Sequence, residues 1–321
     1  MEKKIQDSKS RDSKNQDSMP ETVGEEQESP LLSVKRYYSP KIDLAFKKLF
    51  AQEGKNPLLM SLLNSFLHRE GEEEIKEVEL LPTELVPNIA EAKLSIVDVR
   101  CRDKRNFEYI VEVHNRDTRG FIQRAQQYAS KRFSSQLVKN DDYLQLKPVI
   151  FLAIVSRPIF PPQVPIISYH HTIESHTKQS YLEHVSYAFV ELSKFKKKEN
   201  ALKTPEDHWL YLFKKATQTD HMPEGAPQEV QSAYDILEKY RWSSAEEEMY
   251  FKYCMGLMDD KNDLLAANER GKAEGKEEGK EEEKRRMAKS LLQDGVGLTS
   301  VAKASGLTEE ELQSLLIAQT A

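Results

Sequence analysis

The chain has 321 residues, enough for two or three structural units at about 100–200 residues each. Its 47 basic and 53 acidic residues leave a net charge of −6, which excludes a globally basic nucleic-acid-coating protein but leaves room for a local basic groove. No apolar run approaches the roughly 18–20 residues of a bilayer span, the start MEKKIQDSKSRDSKNQDS lacks a signal-peptide stretch, and Cys101 and Cys254 make neither a disulfide framework nor a zinc quartet; a cytoplasmic, reducing setting is expected.

Residues 1–35 are polar, with almost no apolar periodicity, and read as a disordered arm. From Lys41 to about Gln52 the pattern KIDLAFKKLFAQ is helical, and Asn56-Pro57 reads as the cap and first turn of a second helix. An acidic connector holding one short strand follows. In AKLSIVDVRCRDKRNFEYIVEVHN two alternating runs flank the polar turn Asp103-Lys104-Arg105-Asn106, which predicts a hairpin. Pairing Val97 with Val113 and Val99 with Val111 aligns the apolar faces. That register sets Asp98 opposite Glu112, with His114 on the same face. Residues 117–138 predict a long helix capped by Asp117, with Phe121, Ala125, Tyr128 and Phe133 toward a core. KPVIFLAIVS predicts a strand buried on both faces, and a further strand is expected around Tyr187–Leu192, before a cluster of Lys194, Lys196, Lys197 and Lys198.

The order helix, hairpin, helix, strand is that of an α/β core rather than a bundle. The expected organisation is an arm over 1–35, a core over 36–200, a helical extension over 201–268, and a charged tail over 269–321. In that tail Gly271, Gly275 and Gly279 recur every four residues as a helix or linker, and small helices follow, with Thr308 capping the last and Glu311 as its capping-box partner.

Asp98 beside Glu112 is the pattern that carries chemistry. Two carboxylates about 4–5 Å apart repel by about 4 kcal/mol at an effective dielectric near 20, and like charges facing across strands are disfavoured. A divalent cation reverses the sign: Mg²⁺ needs only one or two carboxylates and takes water and phosphate at its other positions. The same residues admit plainer readings. Asp98 could face solvent beside a basic residue, Glu112 could pair with Arg100, His114 could be a surface or packing histidine, Asp43 and Lys47 could be an i,i+4 helix pair, Arg124 could be solvated, and Tyr128 could be core.

An Asp in one strand, a hairpin turn, then Glu-x-(basic or polar) in the next resembles the active-site layout of PD-(D/E)XK nucleases. More narrowly, the chain resembles the Rpn-like recombination-promoting nuclease, or putative transposase, family of that superfamily. The resemblance is carried by DLAFKKLF (43–50), KLSIVDV (93–99), IVEVH (110–114), FIQRAQQYAS (121–130), DDYLQLKPVIFLAIV (141–155), ELSKF (191–195), HWLYLF (208–213) and GKAEGKEEGK (271–280), so it runs from about residue 36 to near the C-terminus. It implies a PD-(D/E)XK restriction-endonuclease-like core, a mixed sheet flanked by helices, with a helical C-terminal region. It implies a metal-dependent DNA endonuclease using Mg²⁺, or Mn²⁺ in its place, with DNA as partner and a homodimer to cut both strands.

By this resemblance Asp98 and Glu112 hold the metal, His114 orients the water or stabilises the developing charge, and Arg124 contacts phosphate. His114 falls where the superfamily usually has Lys and this family usually has Gln, a departure that leaves room for a silent DNA-binding or regulatory relative. Asp43, Lys47, Arg124 and Tyr128 match recurrent polar positions, and Gln123 is a further candidate. His170, His171 and His176 lack the company of a metal site. SVAKASGLTEEEL (300–312) has a helix-turn-helix cadence, but its acidic second helix would repel phosphate, so it is read as a packing or oligomerisation module.

Overall fold

The computed structural model describes residues 35–85, 95–115 and 119–317. The expected arm up to residue 34 and the expected helix cap Asp117 lie outside the described residues.

Helix α1 (Asp43–Phe50) buries Ala45, Phe46, Leu49 and Phe50. Helix α2 (Pro57–Leu67) starts as its sequence predicts: Asn56 accepts the Leu59 N–H at 3.1 Å, and Pro57 occupies the first turn, where a missing N–H costs nothing. The acidic connector holds two short strands rather than one, β1 (Val78–Leu80) and β2 (Glu84–Leu85). Then come β3 (Ser95–Ile96), β4 (Val99–Asp103) and β5 (Glu108–His114). The β4–β5 turn is tied by the Asp103 carboxylate, which accepts the N–H groups of Arg105 and Phe107, while Asn106 takes the left-handed φ of 63° that Asn tolerates.

Helix α3 (Phe121–Ser134) leads to β6 (Val149–Val155), in which every residue is buried, as its uninterrupted apolar run requires. Strand β7 (Ile167–Thr172) is not evident in the sequence, because ISYHHT lacks the apolar density of its neighbours. Strand β8 (Leu182–Glu191) begins earlier than its apolar end suggests.

The main sheet has the order β1-β4-β5-β6-β8-β7, parallel across β5, β6 and β8 and antiparallel elsewhere. One face packs on α1, α2, α4 (Pro205–Lys215), α5 (Gln228–Leu237) and the start of α6 (Ser244–Gln293); its core includes Phe46, Phe66, Val111, Leu152, Trp209 and Tyr234. The other face carries α3 over Ile110, Phe151, Ala153 and Phe189. The architecture is thus a mixed sheet between two helical layers, with a helical C-terminal region.

Helix α6 is continuous over 50 residues, about 75 Å at 1.5 Å per residue. A capping box of Ser243 and Glu246 opens it, Tyr250 and Cys254 anchor it to the core, and the Gly271–Lys280 stretch runs helical and exposed. Its far end packs with α7 (Leu298–Ser305) and α8 (Glu309–Ile317) around Ala288, Val301, Leu307 and Leu312. The expected Thr308–Glu311 capping box is present, each side chain accepting the other residue's N–H.

Candidate active site

The hairpin register is the one that apolar patterning predicts: Val99 pairs with Val111, Arg100 with Ile110, and Cys101 with Tyr109. The regular ladder stops at Val99. In this register the Asp103 N–H donates to the Phe107 carbonyl, so hydrogen-bonded pairs fall on odd residues and the next would be Val97 with Val113. Instead the chain bends at Asp98, the Val97 N–H turns to the Thr83 carbonyl, and Val97 packs in the cluster beneath α3, opposite to the Val99 and Val111 side. Side chains complete the broken ladder. The Val113 N–H donates to Asp98 Oδ2 at 2.8 Å, and the Asp98 N–H donates to Glu112 Oε2 at 3.1 Å. The bend therefore draws the Asp98 carboxylate inward and locks it against Glu112.

The two carboxyl groups are neighbours, close enough that the Asp98 charge favours the protonated form of Glu112. Glu112 is only 7% exposed, and its affinity for a proton is well above the ordinary glutamate value, through burial first and the adjacent Asp98 charge second. Asp98 is also raised, again by burial, partly offset by the Val113 N–H. The reading in which Glu112 pairs with Arg100 does not hold, because Arg100 binds Glu108 instead.

Two helices bring the remaining candidates to this pair. Asp43 and Lys47 on α1 form an i,i+4 pair at 3.0 Å, and both charges act on Asp98 with opposite sign. On α3, residues 124, 128 and 132 form a stripe at four-residue spacing along the even-numbered face of β5. Arg132 closes on Glu108 at the start of the strand, and Arg124 reaches His114 and Glu112 at its end. Tyr128 lies between them, where burial and the Glu112 and Asp98 charges raise its phenol. Gln123 is on the same helix but exposed, and it makes no contact with the pair among the described interactions.

His114 stacks on Phe121, with ring centroids 4.5 Å apart and 13° between planes, and its Nδ1 lies 3.0 Å from an Arg124 terminal nitrogen. A guanidinium only donates, so Nδ1 must accept, and a neutral His114 carries its proton on Nε2. Sequence reasoning missed the Arg100–Glu108–Arg132 cluster beneath α3. Burial opposes charge on Glu108, but the two arginines overcome it and hold the carboxyl below its ordinary value. The alternation that placed Glu108 and Arg100 on one face was the available signal. The histidines of β7 gather no metal set: His170 stacks on Phe160 and bonds Ser168. Among the described residues no group of three or more His, Cys, Asp or Glu is placed to share a metal. The Asp98–Glu112 pair itself suits a hard cation, since a carboxyl group that burial and a neighbouring charge keep protonated can give up that proton to a metal.

A mixed sheet between helical layers, with paired Asp and Glu where a hairpin strand bends beside the end of the next, defines a PD-(D/E)XK nuclease-like protein. The family model for PD-(D/E)XK nuclease family transposases matches residues 40–267, more than half of the chain, and the chain belongs to that family. A second model, for the C-terminal HTH domain of the Rpn/YhgA-like nuclease family, matches residues 281–316, the unit formed by the end of α6 with α7 and α8. That match assigns to a helix-turn-helix family the segment whose acidity argued for packing. No curated protein and no solved structure matches the chain. No helix among the described residues is long and apolar enough to cross a membrane.

Proposed function

We propose that the chain is a Mg²⁺-dependent DNA endonuclease that hydrolyses phosphodiester bonds in the cytoplasm, with Mn²⁺ able to replace Mg²⁺. The observation that carries this reading is the Asp98–Glu112 pair, a half-buried and a buried carboxyl group brought together where the strand bends. Asp98 and Glu112 would hold the cation, which supplies positive charge for attack of water on the phosphate. With Nδ1 engaged by Arg124, a neutral His114 can donate from Nε2 to water or to a phosphate oxygen but cannot take a proton through Nδ1. Asp43 and Lys47 would border the site from α1, and Tyr128 would support Glu112 from α3. Each chain has one such site, so cutting both strands of a duplex favours a homodimer.

Nicking of supercoiled plasmid with Mg²⁺ or Mn²⁺ tests the proposal. Asp98→Ala and Glu112→Ala should each reduce it to the level of a metal-free control, and an Asp98→Ala protein that cuts like wild type would overturn the assignment. A second reading, a catalytically silent DNA-binding relative, is favoured by His114 standing where the family usually has Gln. Duplex binding without metal-dependent nicking, with cleavage gained on His114→Gln, would establish it.

A further inference from the structure

We propose that His114 and Phe121 are positioning residues that aim the guanidinium of Arg124 on α3 at the phosphate beside the Asp98–Glu112 pair; this rests on the nuclease reading, in which Arg124 contacts that phosphate. The position two residues after the glutamate, where the superfamily usually carries a lysine, here holds His114, a side chain with no fixed charge. A negatively charged ligand approaching two carboxylates needs a compensating positive charge, and β5 does not provide one. Lys47 is on the α1 side, where Asp43 takes its ammonium at 3.0 Å. Arg124 comes from the helix covering the glutamate, and its charge acts on Glu112.

Four contacts argue that Arg124 is held and not merely solvated. Its terminal nitrogen donates to His114 Nδ1 at 3.0 Å. Its guanidinium carbon sits 4.9 Å from the Phe121 ring centroid. The Phe121 ring is in turn stacked on the His114 imidazole. Finally, Arg124 Nε is buried with no hydrogen-bond partner. An arginine ordinarily spends its planar fork on a carboxylate or phosphate. Here one terminal nitrogen meets an imidazole, the guanidinium lies over an aromatic ring, and among the described interactions no carboxylate takes the fork. Its charge is thus left for an anion while its neighbours fix its direction. Whatever its Nε2 contacts, His114 acts on Arg124 through Nδ1, as an acceptor whose lone pair fixes the direction of the guanidinium.

The test uses the full chain and a fluorescent 20-base-pair duplex, titrated in Ca²⁺ across a salt series, with plasmid nicking in Mg²⁺ run alongside. Arg124→Gln should weaken duplex binding about tenfold at moderate salt and lower the slope of log affinity against log salt by about one, the signature of one lost phosphate contact. His114→Leu keeps an apolar side chain against Phe121 but removes the acceptor, and should lose a similar factor. His114→Asn places an amide oxygen near the Nδ1 position and should recover most of it, a rescue that a merely structural role would not give.

Wild-type affinity and slope in Arg124→Gln would overturn the proposal. Equal losses in His114→Asn and His114→Leu would overturn the positioning role. If wild type binds, Arg124→Gln shows the loss, and neither protein nicks in Mg²⁺, the phosphate contact stands and the nuclease reading fails. If wild type nicks and Arg124→Gln nicks and binds equally well, the nuclease reading stands and this one fails. A wild-type chain with no affinity for duplex overturns both.

Discussion

Replacing Glu112 by Gln should make the metal-free protein more stable at pH 7, not less. At pH 7 Glu112 must either hold a proton against its solution preference or carry its charge buried beside Asp98. Two full charges about 4 Å apart would cost about 4 kcal/mol at an effective dielectric of 20. Retaining a proton relieves part of that, so the gain expected on substitution is about 1–3 kcal/mol. The amide oxygen of Gln can still accept the Asp98 N–H that Glu112 accepts at 3.1 Å, so the bend need not change. For a protein of this size each kcal/mol moves Tm by about 2–4 °C, which gives a rise of about 2–12 °C.

The pH dependence follows from the same pair. Glu112 binds its proton more tightly folded than unfolded, so its contribution is fully present below the ordinary value of 4.5 and is lost as pH rises through the higher folded value. Wild type in EDTA should therefore lose stability above about pH 4.5 more steeply than Glu112→Gln. Mg²⁺ narrows the gap, since binding at about 100 times Kd stabilises wild type by about 2.7 kcal/mol and the variant by less. Thermal melts with EDTA or Mg²⁺ across this pH range read all of this. A Glu112→Gln protein that melts below wild type at pH 7 in EDTA, or an equal Mg²⁺ shift in both, would refute the reasoning.

Two predictions concern regions away from the pair. Glu108→Gln leaves the Arg100 and Arg132 guanidinium groups buried without their shared anion and should cost about 3–5 kcal/mol, seen as a lower denaturant midpoint; an unchanged midpoint would show that the cluster is not the anchor of α3. Replacing Gly271, Gly275 and Gly279 together by Ala should raise helix content on heating by circular dichroism, each change adding about 1 kcal/mol of helix preference, because no atom lies within 4 Å of the added Cβ positions. A loss of helicity would mean those glycines serve a contact made outside the isolated chain.

Local patterning already encodes the hairpin and its register as far as Val99 with Val111, because strand alternation has a period of two and a slip by one residue would turn every apolar side chain of β5 to the wrong face. It likewise determined the Asn56 cap, the fully buried β6 and the Thr308–Glu311 box, each set by a local pattern of a few residues. Strand β7 was not legible, since an edge strand with one partner needs little apolar density. Nor was the continuity of α6 through three glycines, where helix preference alone left helix and linker close in energy.

Long-range packing set the character of the site. Patterning places Val97 in the ladder, but the bend moves it beneath α3 and substitutes the Asp98 carboxylate for a main-chain acceptor. It also decided that Arg100 serves Glu108 rather than Glu112, and that Arg124, ten residues beyond His114 along the chain, ends 3.0 Å from its ring. These outcomes depend on how a helix lies across a sheet, and on which buried charges can find partners there. No local period in the sequence encodes that choice, because it is made by desolvation: each charged group enters the core only where another element has already brought its counterpart.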